Sequence, residues 1–303
     1  MNKFLGFTKR NLLVYFKDKA SVLFSMLSPL IVFALYMLFL KGTIIDSLES
    51  HAKGLENFVS KSNIDALANG ILLASIMGTS IITVPYQTLI TLVKDREEKI
   101  DYDISATPMG RIQIIMSYFA SACIAAFIMT SVVMAIGLTI LCNSYDMSLG
   151  AMDVLKLVGF NLIGAICSTA MFMLITMFFK STNASGAFIG ILSASSGFVI
   201  GAYIPLGNFS ETIQTICNIF PQTGVTGLIK KTLLSGVLNN IDSEIGGLDN
   251  GVFVQSIKDA FSLRMRVFEN NLNAGQTLLY IAIITVVFIV LIGIVYPKIY
   301  KRK

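Results

Sequence analysis

Charge is what this sequence has least of. Only 14% of its 303 residues are Asp, Glu, Lys or Arg, against 54% hydrophobic, whereas soluble domains carry about 25% charged residues. Such a chain has too little polar surface to cover itself in water. Tryptophan is absent and His51 is the sole histidine, which excludes an H-E-x-x-H zinc site and leaves little room for histidine acid/base chemistry. There is no C-x-x-C pair among four cysteines, and Cys123, Cys142 and Cys167 fall in apolar stretches. Small buried hydrophobes explain them better than a disulfide framework or a metal site. No G-x-x-x-x-G-K-[ST] loop occurs, so the chain does not split ATP by that route. A net charge of +5 without a basic stripe speaks against a nucleic-acid partner.

Long apolar runs dominate instead. A membrane-spanning helix needs ~20 mostly apolar residues, and six stretches qualify: about 21–40, 67–92, 112–142, 154–179, 185–204 and 276–297. The sequence therefore predicts a single-domain, all-α integral membrane protein, 1–303, with six transmembrane helices. Basic residues precede the first stretch, but its run is too long for a signal peptide and no small-x-small cleavage site follows. Lys and Arg resist translocation, and they crowd the N-terminal segment, the 93–111 connection, Lys180 and the tail Lys298, Lys301, Arg302 and Lys303. Both termini are thus expected in the cytoplasm, with helical segments outside the cell after spans 1 and 5.

Before the first span, Phe4, Phe7, Val14 and Tyr15 share one helical side and Lys9, Arg10 and Lys17 the other, with Leu13 misplaced. The pattern predicts an interfacial helix over 3–19, cations toward anionic lipid heads; an ordinary basic flank that fixes topology is the plainer reading. Ile44, Leu48, Ala52, Leu55 and Val59, with Asp46, Glu49, Lys53 and Glu56 between them, predict an amphipathic outer helix. Within 205–275, residues 211–235 are broken by Pro221 and Gly224 and are read as two short helices dipping into the outer leaflet. A third outer helix, about 252–271, would place Phe253, Ile257, Phe261 and Phe268 on one face, with Arg264 as an intruder.

No proposed span has an ionisable residue in its middle, where a proton- or sodium-coupled transporter usually needs one. A serine nucleophile is no better supported. Asn183 stands where an intramembrane protease would want glycine beside Ser185, and His51 is placed on the opposite side of the membrane. The spans offer instead a polar but uncharged lining. Ser75, Thr79, Thr83 and Tyr86 share a face, with Gln87 at its edge; Gly186, Gly190, Ser193, Ala194, Gly197 and Gly201 form a small face in the fifth span. Small faces serve close helix packing, a dimer interface or a translocation path. Pro29 and Pro85 are expected to kink their helices, for gating or for packing.

The most informative polar run is 93–111, VKDREEKIDYDISATPMGR, with Lys94, Asp95, Arg96, Glu97, Glu98, Lys99, Asp101 and Asp103 ahead of Thr107 and Pro108. Mixed signs suit a protein partner better than lipid, which would favour cations alone; a merely solvated loop is the alternative.

With this run the whole chain resembles the ABC-2 family of ABC transporter permeases. DREEKIDYDISATPMGR at 95–111 is similar to that family's Arg-Glu, small-residue and proline connection, and 204–236 to its outer gate, with Pro205 and Pro221 in the expected places. The resemblance implies that 93–111 includes a coupling helix seated on a cytoplasmic ABC ATPase subunit, which holds the ATP and Mg while this chain binds no cofactor and is no enzyme. It implies a partner permease, a second copy or a paralogue, and a path along the second and fifth spans. Many members have a glycine soon after the Arg-Glu pair; Glu98 and Lys99 stand there in this chain. The E-A-A-x-x-x-G loop of importer permeases is absent, which favours export from a multi-pass protein of the plasma membrane, bacterial by its type. The spans suit an amphipathic or apolar cargo, such as a peptide, drug or lipid-linked molecule. A membrane sensor or assembly factor that signals to a cytoplasmic partner is the competing reading.

Overall fold

The computed structural model describes residues 2–52, 59–145, 149–246, 249–267 and 270–299. Lys53, Leu55, Glu56, Phe268 and the tail Lys301, Arg302 and Lys303 lie outside them. Among the described residues the chain is helical except for connections and one two-residue hairpin. The elements are α1 (Asn2–Lys17), α2 (Lys19–Leu35), a π-turn (Tyr36–Leu40), α3 (Lys41–His51), α4 (Lys61–Thr88), α5 (Ile90–Glu97) and α6 (Ile100–Ala106). There follow α7 (Arg111–Tyr145), α8 (Ala151–Thr176), α9 (Thr182–Val199), a 3-10 turn (Leu206–Asn208), α10 (Glu211–Ile219), α11 (Pro221–Ile245), α12 (Val252–Ala260), strands β1 (Arg266–Val267) and β2 (Asn270–Asn271), and α13 (Ala274–Ile299).

Among the described residues five helical runs are long and apolar enough to cross a membrane: Lys19–His51, Lys61–Glu97, Arg111–Asn143, Ala151–Thr176 and Ala274–Ile299. The expected fifth span, now α9, is not among them. Its 18 residues, about 27 Å of helix, include four serines and three glycines, which dilute its apolar character.

The first span and the outer helix expected after it are one continuous run, Lys19–His51. No helix breaker stands between Leu35 and Lys41, and the five-residue π-turn absorbs the change of face. Tyr36 in that turn donates to the carbonyl of Ala68, 2.6 Å away. Beyond it Ile44, Leu48 and Ala52 are buried, as their spacing predicts.

At the centre runs α4, with 94% of its most apolar stretch buried; α2, α7, α8, α9 and α11 pack around it. Small residues permit this density where lipid supplies no hydrophobic drive for association. A Cβ on Gly78 would stand 2.5 Å from Thr226 Oγ1, and one on Gly137 would stand 2.1 Å from Leu73 Cδ1. Outward faces carry large apolar side chains, among them Leu23, Leu30, Ile128, Ile136, Ile283 and Val290.

Segment 205–275 departs most from expectation. Pro221 does break the chain, standing at the first position of α11, where its missing N–H costs nothing. Gly224 breaks nothing, so in place of two short helices there is a nine-residue α10 and a 25-residue α11. The latter inserts against α4 and α8 and is buried along most of its length. The third helix stops at Ala260, because Ser262 turns left-handed at φ 52° and the chain then enters the β1–β2 hairpin.

The bundle has two distinct ends. One gathers α1, α5, α6, the α8–α9 turn and the start of α7, where Arg111 donates to the Pro297 carbonyl near the end of α13. The other gathers α3, α12, the hairpin and the end of α11, where Asn63 donates to Glu244.

Candidate functional site

At the first end the run 93–111 divides into two parts that face opposite ways. Helix α5 continues from α4 after a single residue, Leu89, so its side chains inherit the packing of the buried helix. Asp95 consequently points inward with 2% of its surface exposed. Its carboxylate accepts both guanidinium nitrogens of Arg10, one at 2.9 Å, and the hydroxyl of Tyr118. Asp95 therefore joins α1, α5 and α7, and it is withdrawn from the partner-facing surface to which the sequence assigns it. That hydrogen bond also raises the pKa of Arg10 above its ordinary value.

Lys94 follows the same direction, 3.7 Å from Asp18, the residue that caps α2 by accepting from Ser21. Arg96 donates to the carbonyls of Met177 and Phe179 at 2.9 and 3.1 Å, closing the open end of α8. Glu97 accepts from the Thr182 N–H at 2.9 Å, a carboxylate at the start of α9 where the helix dipole favours one. Lys94 to Glu97 thus tie the α1–α2 junction and the α8–α9 turn to α5.

The rest of the run faces out. Glu98, Lys99, Asp103, Thr107 and Pro108 are exposed, Asp101 is half-buried, and Tyr102 has 71% of its surface exposed. Lys99 begins this knob in the left-handed region at φ 61°, the conformation glycine adopts most easily. Glu98 and Lys99 follow the Arg-Glu pair, soon after which the family that the sequence resembles often has a glycine. Tyr102 escapes a reading based on charge, although an aromatic within a charged run is a visible signal.

Helix α1 turns part of its apolar side toward the protein. Phe4 and Phe7 are half-buried and Thr8, Asn11 and Tyr15 are buried, with α1 packed on α7 and the Phe7 ring edge-on to Tyr118 at 5.1 Å. Arg10, expected at lipid heads, stacks over Phe7 and reaches Asp95. Lys9, Lys17, Leu5, Leu13 and Phe16 take the exposed faces.

The hydroxyl stripe of the second span is enclosed within the chain. Ser75, Thr79, Thr83 and Tyr86 are all buried, with Gln87 half-buried. Ser75 and Thr83 donate to carbonyls one turn back, Ile71 and Thr79, at 2.7 and 2.9 Å. Tyr86 lies 2.7 Å from Ser185 Oγ, so Ser185 meets a phenol; His51 is held at the other end by the Ser47 carbonyl. On α9, Gly186 and Gly190 are exposed with open space around them, Ser193 is half-buried, and Gly197 is buried against the Tyr203 ring. Asn183, Ala187, Gly190, Ala194 and Phe198 form one exposed, mostly small face.

At the opposite end Pro205 is half-buried ahead of the 3-10 turn and Pro221 is buried. The residue that sequence reading missed is Lys230, 1% exposed. Its ammonium lies 3.3, 3.5 and 3.4 Å from the carbonyls of Ile200, Gly201 and Phe261, and so fastens the ends of α9 and α12 to α11. Its signal was periodicity: Thr223, Thr226, Lys230 and Leu234 follow one helical face, and all four are buried.

No curated protein and no solved structure matches the chain. The family model described as ABC-2 family transporter protein matches residues 43–294.

Proposed function

The chain belongs to the ABC-2 family of transporter proteins and is a multi-pass membrane permease, and from that premise we propose that it is the transmembrane subunit of an ATP-driven exporter. In this reading the α1/α6 end faces the cytoplasm, α9 crosses the membrane as a sixth span, and α6 is the coupling element. The single observation that carries it is the exposed α6 knob inside the matched region. A seven-residue helix that packs chiefly on α5, displays Tyr102 and Asp103 and leads into the exposed Thr107 and Pro108 has the polar and aromatic composition of a protein-binding surface. A push on α6 passes to α5, and from Lys94, Asp95, Arg96 and Glu97 to α1, α7 and the α8–α9 turn. The Arg10–Asp95–Tyr118 cluster acts as the rigid link.

The partner is a separate cytoplasmic ATPase subunit that holds ATP and Mg, and the assembly contains two permeases, this chain with a second copy or a paralogue. The small residues on the exposed face of α9, Asn183, Ala187, Gly190 and Ala194, support that pairing, because they let two helices approach closely, with Ile191 and Phe198 the large side chains exposed beside them. The path runs between protomers along α9; the α4 stripe, enclosed by its own chain, contributes only if the surrounding helices move. Uncharged walls suit an amphipathic or apolar cargo, and the direction is outward.

The test is co-purification of the full chain with its candidate ATPase in mild detergent, followed by transport in vesicles. A stoichiometric complex is expected, lost on Tyr102→Ala with Asp103→Lys, while Lys9→Gln leaves it intact. Uphill transport should require ATP and the complex. Accumulation by the chain alone under a pH or sodium gradient would overturn the reading, and the absence of any nucleotide-binding partner would favour a sensor.

A further inference from the structure

Between α11, the loop leaving α12, the hairpin and the start of α13 lies a cavity of about 260 Å³. Its floor is apolar and buried, made by Leu228, Leu263 and Met265. Two cations stand on its lining, Lys231 and Arg264, and no acidic residue does. Both are exposed, and neither makes an ion pair or side-chain hydrogen bond among the described residues. Glu211, on a second cavity, is turned to Arg266 at 3.5 Å. The first residue of the 26-residue α13, Ala274, also lines the space, adding the partial positive charge of a helix start. Lys230, by holding the Phe261 carbonyl, fixes the loop that carries Arg264.

We propose that this cavity binds the anionic headgroup of a phospholipid, with the phosphate between Lys231 and Arg264 and the first carbons of the tail on the Leu228–Leu263–Met265 floor. Two unpaired cations beside one polar opening lower the energy of an entering anion, and a guanidinium matches phosphate oxygens two at a time. The apolar floor separates this site from one for a free anion, which would gain nothing from it. Arg264, an intruder on an otherwise apolar helix face in the sequence, becomes a ligand once the helix ends at Ala260. The site stands apart from α6 and α9 and does not depend on how the permease is powered.

The absence of tryptophan provides a clean reporter, Leu272→Trp at the cavity wall. The full chain carrying it, in zwitterionic nanodiscs, is titrated with short-chain phosphatidylglycerol, with chain-matched phosphatidylcholine and with inorganic phosphate. The expected result is about tenfold tighter binding of the anionic lipid, the worth of one charge-assisted contact. That preference should vanish in Lys231→Gln with Arg264→Gln and persist in Lys61→Gln, an exposed cation elsewhere. Equal affinity for the two lipids, or selectivity that survives the double variant, would overturn the proposal. So would a full response to inorganic phosphate at the lipid's concentration, which would make this a free-anion site. If the double variant fails to fold, the lipid comparison in the parent decides alone.

Discussion

Asp95 is a carboxylate with 2% of its surface exposed, and a buried charge persists only when it is paired and hydrogen-bonded. Replacing one partner leaves the other without compensation. Asp95→Asn is therefore expected to lower stability by about 3 kcal/mol in detergent unfolding, whereas Asp95→Leu combined with Arg10→Met and Tyr118→Phe should recover much of that loss. Lys99 carries a different constraint. Because φ is 61° there, Lys99→Val should cost roughly 1–2 kcal/mol of local backbone energy and weaken the proposed ATPase binding, while Lys99→Gly preserves it; both are read by co-purification. Composition revealed that 94–103 was a polar island between apolar runs. It could not reveal that Asp95 turns inward, that Lys94, Arg96 and Glu97 bond to neighbouring elements and that Tyr102 turns outward, since that division follows from α5 continuing the buried helix before it.

Periodicity and breakers located most helices, because apolar runs of spanning length are hard to mistake. They failed where two elements compete for one segment. The first span, expected to end near residue 40, and the outer helix expected after it are one helix continued through a π-turn, since tertiary contacts such as Tyr36 to Ala68 outweigh weak local preference. Likewise Gly224 does not end α11, because its neighbours pack on α4 and α8. Lys230 then sets what this long helix can hold. With Lys230→Met, the carbonyls of Ile200, Gly201 and Phe261 lose their donor, at an expected cost of about 2 kcal/mol. Limited proteolysis should show faster cleavage after residues 261–265, while α4 stays protected. At the α4–α11 contact, Gly78→Val would force a side chain into Thr226 and Ile200; a loss of about 1–3 kcal/mol is expected in thermal unfolding.

On the scale of the whole molecule, the proposed pairing through α9 makes a sharp prediction. In a background with the exposed Cys142 changed to serine, Ala194→Cys on the small face should cross-link two chains in membranes, and Ile283→Cys on the large-residue face of α13 should not. Equal cross-linking at both positions would remove α9 as the interface. The sequence alone determined that this chain belongs in a bilayer and that its long helices carry no mid-span charge, because composition and run length answer to the solvent and not to neighbours. Only the tertiary structure decided which faces of those helices are inside. Lipid and helix interiors are equally apolar, so hydropathy cannot distinguish α4, enclosed on all sides, from α13, which shows most of its surface. That choice falls to close approach at small residues and to a few paired polar groups, whose partners lie 30 to 186 residues away in the chain.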